Sequence, residues 1–455
     1  MKARTLIAAL LLGAVLAGNA QAKSLFLTEE FWETASPADV QAQIDAGGDL
    51  LERDKIGRQG LHYALRGHAS LEVLRFVLEK GVPIRPKDGK GVYAELYAAR
   101  YGDLDTIKLL EEFGADYQVA DYMGETPQFW LSKNKSPNLR VVDYFVELGL
   151  DMNAQSRLGV TPAGATVLNK RGEELFDYLV ELGSDPYGID SEGRDMFMRA
   201  LIGNDSAAML ERFYEDSEDP EAEDNYGLSG VLLASIEGIS EDRLAFLEDQ
   251  DFDLTVRSPK GETALHLHAV EGDDEGLAAL LAREFDINAA DDAGNTPLHV
   301  ALQKNETEFL PAYLESGADV TAANAKGVTP LMLALAREAD EDMGALIDRM
   351  IAAGADLAAV DGAGATTLIY AVKGGQPVER LQQILASGVD VNATDGDGTT
   401  ALMHAALSAT NPAVLEFLVE AGADVTVRDV FEDTAAVIAA DNPALQGSPV
   451  VARLQ

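Results

Sequence analysis

An all-α repeat solenoid is the fold class predicted for this chain, and three observations predict it. A glycine recurs in register at Gly57, Gly91, Gly124, Gly159, Gly193, Gly227, Gly261, Gly294, Gly327, Gly364 and Gly398, at intervals of 33 to 37 residues, with Glu432 as the degenerate last member. Behind each glycine run two short stretches with apolar residues at helical spacing, such as Leu71, Leu74, Val77 and Leu78, or Val414, Leu415, Phe417 and Leu418. A second glycine closes many blocks, as at Gly81, Gly317, Gly354, Gly388 and Gly422, where a left-handed C-cap is expected. The period therefore describes helix, turn, helix and a turn tip, stacked into a single elongated array.

The segments follow in order. Residues 1–22 read as a secretory signal peptide: Lys2 and Arg4, an apolar run over 5–18, then Ala20-Gln21-Ala22 as cleavage site. Residues 23–54 are expected to form an N-terminal capping half-repeat, 55–428 the array, and 429–455 a degenerate capping repeat and tail. Within a repeat, Thr296 suits the N-cap and can cap with its hydroxyl, Pro297 fits the first helical turn, and Gly294 suits a positive φ in the turn before it. Ala301, Ala334, Ala371 and Ala405 are small enough for close helix approach. The acidic stretch Glu215 to Asp224 joins the two least regular repeats and reads as the softest point of the array.

These blocks resemble the ankyrin repeat. The full signature stands at Thr296-Pro297-Leu298-His299, and partial forms stand at Thr161-Pro162, Thr329-Pro330-Leu331, Thr263-Ala264-Leu265-His266, Gln59-Gly60-Leu61-His62 and Ala401-Leu402-Met403-His404. About 400 residues take part, so the resemblance covers nearly everything after the leader. It implies a β-turn followed by two antiparallel helices per repeat, and it places His62, His266, His299 and His404 in a slot where the imidazole organises backbone between repeats.

Composition narrows the functions. The 455 residues carry 35 Lys+Arg against 77 Asp+Glu, a formal charge of -42 that becomes -44 without the leader. A polyanion such as nucleic acid would repel this chain. No Cys is present, which excludes disulfides, thiol nucleophiles and Cys-ligated metals and suits an oxidising compartment. After the leader no apolar run is long enough to span a bilayer. His62, His266, His299 and His404 lie a repeat or more apart and cannot converge on a metal, His268 falls on a different helical face from His266, and Glu221, Glu223, Asn225 and Gly227 lack the glycine and closing carboxylate of a calcium loop. No cofactor and no catalytic constellation is expected. A soluble, monomeric periplasmic protein, or alternatively a secreted one, is the expectation.

The resemblance also implies where a partner would bind: on the turn tips and the exposed side of the first helix. Relative to each signature glycine these are positions -2, -1, +1, +9 and +10. Over the five repeats from Gly57 to Gly193 they hold Lys55, Arg58, Arg66, Lys90, Arg100, Lys133, Arg157 and Arg194 against only Glu125 and Glu192, a local balance of +6. Over the six repeats from Gly227 to Gly398 the same positions balance to zero. Ile56, Tyr101, Tyr122, Met123 and Leu158 stand beside the cations as apolar anchors. The expectation is a non-enzymatic module that binds an acidic protein partner as scaffold, inhibitor or assembly aid. An anionic envelope glycan or peptidoglycan fragment is the alternative ligand, and relief of self-repulsion in an acidic chain is the plainest account of the basic tips.

Overall fold

The computed structural model describes residues 25–134, 138–168, 173–203, 206–236, 239–272, 274–283, 285–304, 310–408 and 412–454. The expected signal peptide, residues 1–22, lies outside the described residues. Contacts gather the chain into two compact units, Met1–Pro220 and Glu221–Gln455, which part inside the acidic stretch.

In the first unit a helix pair follows each signature glycine: Gly60–Arg66 with Leu71–Glu79, Ala94–Tyr101 with Leu104–Glu112, Pro127–Ser132 with Leu139–Glu147, Pro162–Leu168 with Glu173–Glu181, and Met196–Gly203 with Ala207–Asp216. First helices pack on first helices and second on second. The interior is Leu61, Leu65, Leu74, Val77, Leu96, Ile107 and Leu110, each 2% exposed or less. At that burial each such side chain contributes about 1.5–3 kcal/mol against remaining in water. The leading segment is more than a half-repeat. Glu29–Thr34 precedes Pro37–Asp45, and Phe26, Phe31 and Trp32 stack against one another, closing the open end of the first repeat.

The second unit repeats the plan from Gly230–Ala234 to Ala413–Glu420. Its last helix pair is completed by the tail, where Pro449–Arg453 packs on Ala413–Glu420 and buries Val450. The small-residue slot holds: Ala301, Ala334, Ala371 and Ala405 are 1% exposed or less. His268 occupies the same slot one repeat earlier, and its ring fills the space a Cβ on Gly272 would need.

All eleven signature glycines have positive φ, from +73° to +89°, so the turn geometry demands them. Glu432 adopts φ +66° in the same place without being glycine. The closing glycines Gly81, Gly317, Gly354, Gly388 and Gly422 are left-handed as expected.

One part of the signature is corrected. His404 stands six residues after Gly398, one beyond the imidazole slot, which Met403 occupies; the Thr400 N–H points at Met403 Sδ (3.4 Å). His404 instead pairs with Asp395 through Nε2 (2.7 Å). At His299 and His266 the ring works between repeats. The Thr296 N–H donates to His299 Nδ1 (3.1 Å), so the ring proton sits on Nε2 and is given to the Val328 carbonyl of the next repeat (3.1 Å). His266 bridges Thr263 and Asn295 in the same way. The Thr296 hydroxyl faces the His299 ring (2.9 Å), whereas Thr329 caps backbone directly at Met332 N–H.

Candidate partner-binding surface

Each tip is organised by the residue three before its glycine, a position outside the signature block. Asp54 Oδ1 accepts the Ile56 and Arg58 N–H groups, both at 2.9 Å, and Asp121 does the same for Met123 and Glu125. The other carboxylate oxygen reaches the first helix. Tyr63 donates its hydroxyl to Asp54 (2.8 Å), Tyr97 to Asp88 (3.3 Å), Trp130 its indole N–H to Asp121 (3.2 Å) and Tyr370 its hydroxyl to Asp361 (2.8 Å). His404 and Asp395 belong to this series. Burial alone would raise Asp54, but hydrogen bonds from Arg58, Tyr63 and Ile56 outweigh it and hold the carboxyl at about 2. The recurrent Asp three residues before the glycine is the sequence signal for this brace, one residue outside the tip positions -2 to +1.

Neighbouring tips are joined by backbone. The Gly89 N–H donates to the Ile56 carbonyl (2.7 Å), Arg157 to Met123 (2.7 Å) and Ser191 to Leu158 (2.8 Å). Side chains at the tips are thereby set in a row on hydrogen-bonded supports.

The thirteen residues singled out on the sequence fall into two groups. Arg58 is bound to Asp54 (2.7 Å) and lies over the Tyr63 ring, and Arg66 pairs with Glu29 (2.7 Å). Lys133 pairs with Glu125 above Trp130, and Arg194 with Glu192. Arg100 lies over the half-buried Tyr101, 5.0 Å from the ring centroid. The first-helix cations, and the cations one residue after the glycine at Arg58 and Arg194, thus already have partners within the fold. The tip residues just before the glycine differ: Lys55, Lys90 and Arg157 are exposed, beside Ile56 (41%), Tyr122 (52%), Met123 (45%) and Leu158 (40%). Two more cations join them that the position count did not include, Arg53 and Lys87.

The second repeat departs from the signature inside. Glu95 takes the place of the signature leucine and is fully buried, with Arg85 Nε 3.1 Å from one carboxylate oxygen and Asp116 on the far side of Arg85. Burial pushes its carboxyl up, against the pull of Arg85. Among the described residues no group of three or more His, Asp or Glu side chains is arranged to hold a metal ion. No helix among them is long and apolar enough to cross a membrane.

Comparison with known proteins agrees with this geometry. A model of ankyrin repeats in three copies matches residues 231–324 and 331–429, and a second ankyrin-repeat model matches 61–111. A putative ankyrin repeat protein of Rickettsia bellii (strain RML369-C) is 34% identical over 89 residues, 19% of this chain and 49% of that protein. Ankyrin repeat domain-containing protein 63 of Homo sapiens is 31% identical over 90 residues, and that of Mus musculus 30%, in each case 19% of this chain. The chain spans about half the length of the bacterial relative and about a quarter of the mammalian ones. Ankyrin repeats generally mediate protein–protein interaction and are typically non-enzymatic. With its eleven helix pairs among the described residues, its left-handed signature glycines and these matches, the chain belongs to the ankyrin-repeat family.

Proposed function

We propose that this protein is an exported, non-enzymatic interaction module that binds an acidic protein partner through the turn tips and first-helix face of its first unit. The observation that carries the reading is the sorting of charge: in a chain of -42, exposed cations and exposed apolar side chains share the tips of one unit. Arg, Tyr and Met at such positions are the residue types enriched in protein interfaces. The leader pattern of Lys2, Arg4, the apolar run and Ala20-Gln21-Ala22 supports export, with the periplasm as the compartment that suits a chain without Cys. Scaffold, inhibitor and assembly aid are the roles such a binder fills.

The test is affinity capture with residues 23–455 on the support, from periplasmic extract at low and high salt. One dominant protein that survives salt supports the reading, because a sizeable interface depends only modestly on screening. Retention of glycan alone, lost steeply with salt, would contradict it and favour an envelope polymer as ligand.

A further inference from the structure

The first two tips gather four cations, Arg53, Lys55, Lys87 and Lys90, into one basic patch. Arg53 donates from one guanidinium nitrogen to the carbonyls of Gly57 and Lys87, both at 2.9 Å, and so fixes its charge at the seam between the two tips. Lys87 Nζ lies 4.8 Å from the Tyr93 ring centroid and 4.7 Å from that of Tyr122. Lys55 and Lys90 are exposed beside it. Two of the local carboxylates are engaged elsewhere: Asp54 by its own turn, Arg58 and Tyr63; Asp88 by the Lys90 and Val92 N–H groups and the Tyr97 hydroxyl. Glu52 stands exposed next to Arg53. Glu95 and Asp116 face Arg85. Among the described residues none of these four cations is ion-paired to a carboxylate, in a chain with more than twice as many acids as bases.

Further along the row, exposed apolar side chains and then another cation follow. Ile56 sits at the first tip with Lys55, Tyr122 and Met123 at the third, and Arg157 with Leu158 at the fourth. Packed helices lie about 8–10 Å apart, so one step along the tips corresponds to roughly three residues of an extended peptide at about 3.3 Å each. From Lys90 to Tyr122 and Met123 is one step, and from there to Arg157 is another.

We infer that the tip row from Lys55 to Leu158 takes an extended peptide segment in which an apolar residue is flanked, about three residues to either side, by carboxylates. The carboxylates meet Arg53, Lys55, Lys87 and Lys90 on one side and Arg157 on the other, and the apolar residue lies on Tyr122 and Met123. This rests on the proposed protein-binding reading and narrows it to a partner chemistry. Charge complementarity favours this occupant: the patch is cationic where the rest of the molecule is anionic.

The experiment is fluorescence anisotropy of the full chain with a labelled peptide of about twelve residues, two glutamates near each end, two leucines at the centre and serines between. Binding is expected, weakened at least tenfold by Lys55→Glu, Lys90→Glu and Arg157→Glu together, and changed less than twofold by Lys260→Glu with Lys326→Glu on the second unit's tips. Circular dichroism checks that the variants stay folded; the backbone bonds of Lys90 and Arg157 do not depend on their side chains. Equal binding by the triple variant, equal binding of a peptide with glutamine for glutamate, or tighter binding of inorganic polyphosphate would each overturn the inference. So would no binding at all to the wild-type chain. A protein captured by the separate affinity experiment would then still support the module and place its seat elsewhere.

Discussion

The imidazole of His62 makes the first unit's stability depend on pH in a calculable way. Its Nδ1 accepts the Gln59 N–H (3.0 Å), the ring is fully buried, and burial lowers it to about 4 despite the opposing field of Asp88. An unfolded histidine titrates at 6.5, so between pH 6.5 and 4 the unfolded chain binds a proton that the folded chain refuses. The stabilisation is thus complete above pH 6.5 and is lost as pH falls through that window. At pH 5 the loss relative to pH 7.5 works out to about 2 kcal/mol from these two values. The chain has only two tryptophans, Trp32 and Trp130, and both belong to the unit that holds His62, so their fluorescence during urea unfolding reads this region. His62→Gln removes the titration, and comparing the two proteins cancels the many carboxylates that also titrate. The wild type should lose about 2 kcal/mol more than the variant between pH 7.5 and 5. Parallel pH profiles would refute the burial of a neutral imidazole as the cause.

Three other changes follow from the same geometry. Glu432→Gly relieves a non-glycine left-handed residue (φ +66°) and should stabilise the last repeat by about 0.5–1 kcal/mol, measured by urea unfolding followed by circular dichroism. Gly91→Ala adds a methyl at φ +80° within 2.5 Å of the Tyr122 ring and should cost about 1–3 kcal/mol, and Tyr122→Ala in the same chain should recover part of it. Glu95→Leu restores an apolar residue to a fully buried slot while Arg85 keeps Asp116; it should be stabilising by about 1–3 kcal/mol, visible as a raised unfolding midpoint, and a lowered midpoint would mean that the buried pair is favourable.

Much of this fold is legible because each local signal is repeated. The left-handed glycines, the N-cap threonines and the alanine slot are short-range requirements, and their recurrence in phase identifies them. Legibility ends where the determining contact crosses a turn or a repeat boundary. The brace from Asp54 to Tyr63 spans nine residues, and although its Asp recurs three residues before the glycine, the partner varies among Tyr, Trp and His, so the pair does not stand out as a motif. The one-residue shift of His404 is easily overlooked because Ala401-Leu402-Met403-His404 ends in histidine as the signature does, and the pairing with Asp395 shows what the displaced ring does instead. Among the site residues, counting charges by position could not distinguish Arg58, Arg66, Lys133 and Arg194, which are paired within the fold, from Lys55, Lys90 and Arg157, which face solvent. Charge sorting is a property of the sequence; availability of the charge depends on three-dimensional neighbours.

The most direct measurement is lysine acylation footprinting of the full chain, alone and in complex with the protein it captures. Binding at the first unit's tips predicts that Lys55 and Lys90 lose reactivity in the complex while Lys260 and Lys326 do not change. Protection of Lys260 and Lys326 with Lys55 and Lys90 still reactive would contradict the account.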